Sequence, residues 1–361
     1  MRYFLAIIIL LHGAIHLAGF RVNTPAVSSN FVKSPGVFWL AMAVMWSVTS
    51  GLLFSNWLYW WVFGMTSVFF SQILIFKYWK DAKYGTIVNV VILPWLFLSL
   101  AASNFEDQYK RDIKEGMASL TPAPQETLSN TDIEGLPLPV QKYIRYSGAI
   151  GKPKVTHFKV AFEGVLRESD TADWMSFHSE QTNFMNTPTR LFFLNATMKH
   201  LPVAGYHRYT NGEAFMDIRL ISMIRVAYET GWEMGVSETV TFFNDMCVMA
   251  PATLIDSRVK WLAVKGNHVQ ASFTTDDITV SAWLYFNEDG QLINFISDDR
   301  YAREEDGSME RRQWSTPLKD YQDFNGHRVA AYADAVYQYP NKEFCYGNFR
   351  TINVEYNPTK R

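Results

Sequence analysis

The chain has 361 residues, a formal net charge of −2 and two cysteines, which is room for two structural units. Residues 1–103 hold six Lys or Arg and a single acid, Asp81, and so carry +5, leaving −7 for the remainder. An acidic remainder without a basic patch excludes nucleic acid as the expected partner, and two cysteines without CxxC spacing exclude a disulfide framework and a thiolate zinc site.

Four apolar stretches come first, at roughly 3–20, 36–55, 57–77 and 85–103. Each has about 18 to 21 residues, and at about 1.5 Å per residue each matches a hydrocarbon core of about 30 Å. The first resembles a signal-peptide core, but it lacks a small-residue cleavage site and three more stretches follow. Residues 1–103 are therefore expected to form an α-helical membrane bundle of four transmembrane helices. Trp57, Tyr59, Trp60 and Trp61 mark one interface, and Tyr78 and Trp79 the other. Arg21 and Lys33 lie between helices one and two, and Lys77, Lys80 and Lys83 between three and four. The positive-inside rule puts these loops in the cytoplasm, and both termini with the C-terminal domain outside the inner (cytoplasmic) membrane.

His12 and His16 stand one helical turn apart within the first stretch, "LLHGAIHLAGF". A metal site needs a third ligand, a haem usually needs histidines on different helices, and a proton relay usually includes a carboxylate. The four stretches supply no acid and no further histidine. The reading left is hydrogen bonding across the bundle, with Gln72 and Asn89 as partners and Ala14 and Ala18 as a small-xxx-small contact. No cofactor is expected.

From 104 to 136 the chain turns polar and then rich in Pro, Ser and Thr, as a short amphipathic helix running into a spacer would. A helix follows in "PVQKYIRYSG", 139–148, with Pro139 in its first turn and Gly148 just past its end. From Lys154 the period changes to two: Phe158, Val160, Phe162 and Leu166 alternate with polar neighbours. Gly266-Asn267, Asp289-Gly290, Asp306-Gly307 and Asn325-Gly326 read as hairpin turns. The spacing predicts about ten to twelve mostly antiparallel strands over 137–361. One helix interrupts them, "SETVTFFNDMCVMA", with Ser237 as N-cap and Pro251 beyond its end; the segment 218–229 fits strand or helix.

A long meander plus one apolar helix predicts an open or half barrel with the helix packed against its concave face. The inward candidates are Phe158, Phe162, Phe177, Phe192, Phe215, Met216, Phe243 and Met246, which form either a filled core or an apolar ligand site. No GxSxG, HExxH or Gly-rich phosphate loop is present, so no catalytic residue is assigned; Glu180 is the one acid to watch. The expected partners are the membrane and a lipid or other apolar small molecule, with a membrane-protein partner as the alternative. An enzyme acting on a lipid-like substrate ranks behind both.

At "LPLPVQKYIRYSGAIGKP" the chain resembles a bacterial family of unknown function whose members pair a "PVQ-R/K-Y-x-RYSG" helix with a β domain. The resemblance runs through "NGEAFMDIRL", "MAPATLID" and "DGQLINFISDDRY", roughly residues 135–356. It departs at "NGEAFM", where the family pattern has a second glycine in place of Glu213 or Ala214. The resemblance implies no activity, and a β domain similar to lipoprotein-carrier half-barrels.

Overall fold

A computed structural model describes residues 2–23, 35–120, 126–304 and 306–359. Lys33 of the first basic loop and Pro122 and Pro124 of the expected spacer lie outside the described residues. The chain divides into two compact units, Met1–Asp107 and Gln108–Arg361.

In the first unit, α1 (Arg2–Asn23), α2 (Gly36–Phe54), α3 (Trp60–Lys77) and α5 (Gly85–Ser119) are long and apolar enough to cross a membrane, and a short α4 (Trp79–Ala82) precedes the last. Their core is Ile9, Trp46, Ile92 and Leu96, all fully buried. Glycines set the close approaches. A Cβ on Gly13 would meet Trp46 Cβ at 2.8 Å, and one on Gly64 would meet Leu96 at 2.3 Å. Ala14 and Ala18 instead face outward, so the small-residue contact of α1 is made by Gly13 and not by that pair. The short amphipathic helix expected after residue 104 is the continuation of α5, which ends at Ser119.

The second unit takes in the end of α5 from Gln108 and continues with a one-turn α6 (Asn130–Ile133), whose Ser129–Asp132 capping box holds its start, and α7 (Leu138–Tyr146). Val140, Tyr143 and Ile144 share one face of α7 and are wholly buried. Gly148 follows at φ +71°, the left-handed geometry that ends a helix. Six strands follow: β1 (His157–Leu166), β2 (Met175–Phe184), β3 (Thr189–Met198), β4 (Leu201–Thr210), β5 (Glu213–Leu220) and β6 (Ile224–Thr230). Helix α8 (Trp232–Met249) and a 3-10 turn (Pro251–Ile255) lead to β7 (Val259–Lys265), β8 (His268–Thr275), β9 (Ile278–Phe286) and β10 (Leu292–Ser297). A small hairpin, β11 (Tyr301–Arg303) and β12 (Met309–Arg311), precedes β13 (Gln313–Ser315), β14 (Leu318–Phe324), β15 (His327–Tyr339) and β16 (Lys342–Tyr356).

Among the described residues these sixteen strands exceed the ten to twelve expected. The ambiguous segment 218–229 alone contributes to two, joined by Ile221 and Ser222 at positive φ. All four hairpin dipeptides sit between paired strands, and Asn325-Gly326 shows why, with φ of +53° and +82°. At the departing "NGEAFM", Asn211 and Gly212 make the β4–β5 turn by themselves, at φ +48° and +92°.

Fourteen strands form one antiparallel sheet, and β1 pairs with β16 near its middle. The chain meanders from β1 outward to the edge strand β6, crosses by α8 to the opposite edge strand β7, and returns to β16. Helix α8 touches β5 and β6 in one arm and β9 and β10 in the other. Flat, ten inter-strand spacings of about 4.8 Å would separate β6 from β9 by about 48 Å, whereas 18 helical residues span about 27 Å. The sheet must therefore curl around the helix. At one end its arms meet, since Thr275 of β8 donates to Asn211 Oδ1 at 2.5 Å. The edges β6 and β7 do not pair, and the sheet stays open.

Candidate functional site

Every residue of α8 from Met234 to Met249 is buried, the polar ones included. A helix buried on all sides must satisfy its side chains internally. Arg190 of β3 donates to Glu238 Oε2 and to Asp245 Oδ2, each at 3.0 Å. The same Asp245 oxygen receives Gln181 at 2.8 Å and Asn183 at 3.0 Å from β2. Arg300 lies 3.7 Å from Glu238 and donates to the Ser237 carbonyl and to Tyr337. Two guanidiniums thus face two carboxylates. Burial pushes the Glu238 carboxyl up, but the Arg190 and Arg300 charges outweigh it and hold the group below the usual range. For Asp245 burial prevails and its pKa rises. Burial also lowers His207, on β4 beside this cluster, to about 4.

The expected N-cap Ser237 lies inside the helix, which starts at Trp232 after Gly231 turns the chain at φ +102°. Ser237 accepts from the Tyr301 backbone N–H at 3.0 Å instead. The network was open to inspection in the sequence as Glu238 and Asp245, seven residues apart on one helical face. Glu180 lies on the outer face and pairs with Lys159 at 2.8 Å, more than half exposed.

Partners on α8 identify the inner face. Gln181 and Asn183 reach Asp245, so by alternation Ser179 and Phe177 also face inward. Of the expected ligand residues, Phe158, Phe243 and Met246 are fully buried core, with Phe243 against Phe273 and Phe295. Phe162 and Phe177 both meet Phe349, at ring distances of 5.8 and 5.2 Å. Phe192 packs on His207, whose register partner is Met216. Phe215 does not join them. Adjacent residues of a strand point to opposite faces, and Phe215 lies on the outer one against Tyr206 and Tyr228. There Tyr109 of α5 stacks on Phe193, and Asp112 accepts from Tyr206 at 2.5 Å.

Not all of the inner face is sealed. Leu166, Ala196, Met216, Tyr337, Tyr346 and Phe349 are partly exposed while packed on the core. The register joins Ala196, Phe177, Gly164 and Phe349 in one row across four strands. Gly164 is required there, because a Cβ would lie 2.0 Å from the Asn348 carbonyl and 2.8 Å from Phe177. In the next row, between Leu194 and Phe162, the Ser179 hydroxyl is buried and has no hydrogen-bond partner among the described residues. The wall is thus apolar and aromatic with one unsatisfied hydroxyl.

Two open surface clefts lie elsewhere. One of about 540 Å³ is lined by Phe215, Trp232, Arg208 and Asp276 at the turn tips. The other, about 500 Å³, is polar and lined by Glu168, Asp170, Glu304, Arg303 and Lys342.

In the bundle, hydrogen bonds bring the four expected membrane residues together. His12 Nε2 meets Asn89 Oδ1 at 3.0 Å, Asn89 Nδ2 donates to Gln72 at 3.0 Å, and His16 meets Ser71 at 3.0 Å. Among the described residues no group of three or more His, Cys, Asp or Glu comes together to hold a metal ion. Cys247 and Cys345 are both free thiols.

A model of DUF6544, a family of unknown function, matches residues 126–349. No curated protein matches the sequence. Among solved structures, a putative outer membrane lipoprotein-sorting protein domain from Vibrio parahaemolyticus is similar at 7% identity and a TM-score of 0.34, covering 57% of this chain and 87% of that one. A LolA superfamily protein from Nitrosomonas europaea is similar at 8% and 0.33, over 61% and 94% of the two chains. A DUF1329 family protein from Desulfovibrio piger is similar at 9% and 0.32, over 61% and 92%. Likeness at this level does not extend to a shared site.

Proposed function

The chain belongs to the DUF6544 family of unknown function, and from that premise, which assigns no activity, we propose that it is a membrane-tethered, extracytoplasmic binding protein for a lipid or similar apolar molecule. The ligand lies on the partly exposed part of the inner face, against Leu166, Ala196, Met216 and Phe349, with Phe162, Phe177 and Phe192 behind them. It does not lie under α8, which the Arg190, Glu238 and Asp245 ion pairs hold in place. The four apolar helices anchor the domain at the inner membrane, with both termini outside the cytoplasm. The observation that carries this reading is the apolar wall with its single unsatisfied hydroxyl, Ser179. Ligand sites of this kind are mostly apolar with a few placed polar groups.

The test is titration of a fluorescent fatty acid into full-length protein in lipid nanodiscs. Ala196→Trp fills the wall without adding charge. Losing about 60 Å² of apolar contact, at about 25 cal/mol per Å², lowers affinity about tenfold. Lys159→Ala, on the outer face, leaves it unchanged. Unaltered affinity in Ala196→Trp, or no binding by the folded wild type, refutes the reading.

One observation favours a partner-binding membrane protein instead. Edge strand β6 exposes Ile224, Val226 and Tyr228, each 46–55% accessible. A stable complex that survives purification and is broken by Val226→Lys would establish that second reading.

A further inference from the structure

The hydrogen bonds of the bundle fix the state of both histidines. His16 Nδ1 lies 2.9 Å from the His12 carbonyl, which only accepts, so Nδ1 carries the proton. The ring is neutral, because the apolar stretches offer no carboxylate to balance an imidazolium. His16 Nε2 is then a bare acceptor, and the Ser71 hydroxyl, 3.0 Å away, donates to it.

With its hydrogen committed, Ser71 Oγ accepts from Asn89 Nδ2 at 3.4 Å. The reverse placement of the Asn89 amide would set two lone pairs against each other. Asn89 Oδ1 therefore faces His12 and accepts from its Nε2–H at 3.0 Å. Gln72 and Thr86 extend the same direction of donation, each at 3.0 Å. His12 is left with its proton on Nε2 and a bare lone pair on Nδ1.

That nitrogen is buried and has no partner among the described residues, and His12 is 2% exposed. Its ring neighbour Trp46, T-shaped at 5.0 Å, carries a buried indole N–H that is also unpartnered, as is that of Trp39 beside His16. An unsatisfied buried acceptor and an unsatisfied donor on adjacent rings are each costly alone. A metal ion does not answer them: both His16 nitrogens are engaged, and no further His, Cys, Asp or Glu gathers there among the described residues. A proton on Nδ1 would place an unbalanced charge in an apolar core. One hydroxyl oxygen answers both, donating to the imidazole and accepting from the indole.

We propose that the four-helix unit holds a binding site for a hydroxyl group, with His12 Nδ1 as its acceptor and the Trp46 N–H as its donor. The hydroxyl comes from an apolar alcohol or phenol, or from a single buried water. The site lies outside the family-matched region and is independent of the β-domain ligand.

The experiment uses full-length protein with ring-¹⁵N histidine in lipid nanodiscs, the His12 signals being identified by their loss in His12→Gln. The probes are 4-butylphenol and its methyl ether. A saturable shift of the His12 Nδ1 resonance with the phenol and not the ether, weakened roughly two- to tenfold by Trp46→Phe, establishes an amphiphile site. A nitrogen already hydrogen bonded without probe, in exchange with water and indifferent to the phenol, establishes the water site. A proton found on His12 Nδ1, or a bare nitrogen that neither water nor phenol reaches, overturns the proposal.

Discussion

Arg190 bridges two carboxylates that lie two helical turns apart on α8, contacting Glu238 and Asp245 at 3.0 Å each. One strand residue thus holds both the middle and the C-terminal half of the helix that crosses between the two arms of the open sheet. All three side chains are at most 10% exposed.

Removing one member of a buried ionic cluster leaves the others uncompensated, typically at a cost of about 3–5 kcal/mol. Arg190→Met is expected to destabilise the β domain by that amount in urea unfolding of the full chain. Asp245→Asn in the same background should recover part of the loss, because it removes an orphaned charge while its carbonyl still accepts from Gln181 and Asn183. Equal stability of Arg190→Met and wild type would show that the cluster contributes nothing.

The pH dependence follows from three histidines. Burial lowers His207 and His327 to about 4 and His157 below its ordinary value. A histidine whose pKa is depressed in the folded state binds its proton more tightly when unfolded. Its stabilising contribution is complete above the unfolded value of about 6.5 and is lost as pH falls through the folded value. The thermal midpoint of the β domain should hold above pH 7 and decline from pH 6.5 toward 4. His207→Gln should flatten part of that decline, and a decline equally steep in the variant would remove His207 from the account.

What the sequence made legible was what local physics decides. Asn325-Gly326 tolerates two positive φ values and so turns the chain wherever it stands. Val140, Tyr143 and Ile144 recur at helical spacing and bury together. The failures were non-local. Nothing near Glu238 announces that Arg190, 48 residues away, will meet it. Ser237 has the chemistry of an N-cap, but Gly231 starts the helix earlier and Tyr301, distant in sequence, claims the hydroxyl. Phe215 and Met216 illustrate a different error. Both are large and apolar, yet neighbours in a strand cannot both face the core, and period two already separates them. Residues 104–119 have the pattern of a short amphipathic helix, and α5 does run through them to Ser119; what their own sequence does not announce is that Tyr109 and Asp112 find partners on the outer faces of β3 and β4.

Membrane orientation rests on the basic loops. Arg21 in the last turn of α1 with Lys33 after it in sequence, and Lys77 in the last turn of α3 with Lys80 and Lys83 after it, oppose the uncharged "FSNW" at 54–57. Reporters active only outside the cytoplasm should be active when fused after Arg361 and silent when fused at Lys80. The opposite pattern would place the β domain in the cytoplasm and withdraw the extracytoplasmic assignment.

The Ser179 hydroxyl separates a ligand anchor from a packing defect, because the two give different signs on different measurements. Unsatisfied in the ligand-free protein, it costs about 1–3 kcal/mol of folding stability. Ser179→Ala removes that cost whatever the hydroxyl is for, so the ligand-free domain should become more stable to urea. If the hydroxyl donates to an oxygen of the bound molecule, the same substitution removes one hydrogen bond from the complex and weakens fatty-acid binding about two- to tenfold. It would also shrink the stabilisation that ligand gives, which grows with ligand concentration relative to Kd. Stability up and affinity down in one variant identifies an anchor that the fold sustains for its ligand. Stability up with affinity unchanged would leave Ser179 a strained residue of the wall, and the polar end of the ligand would have to be sought elsewhere along it.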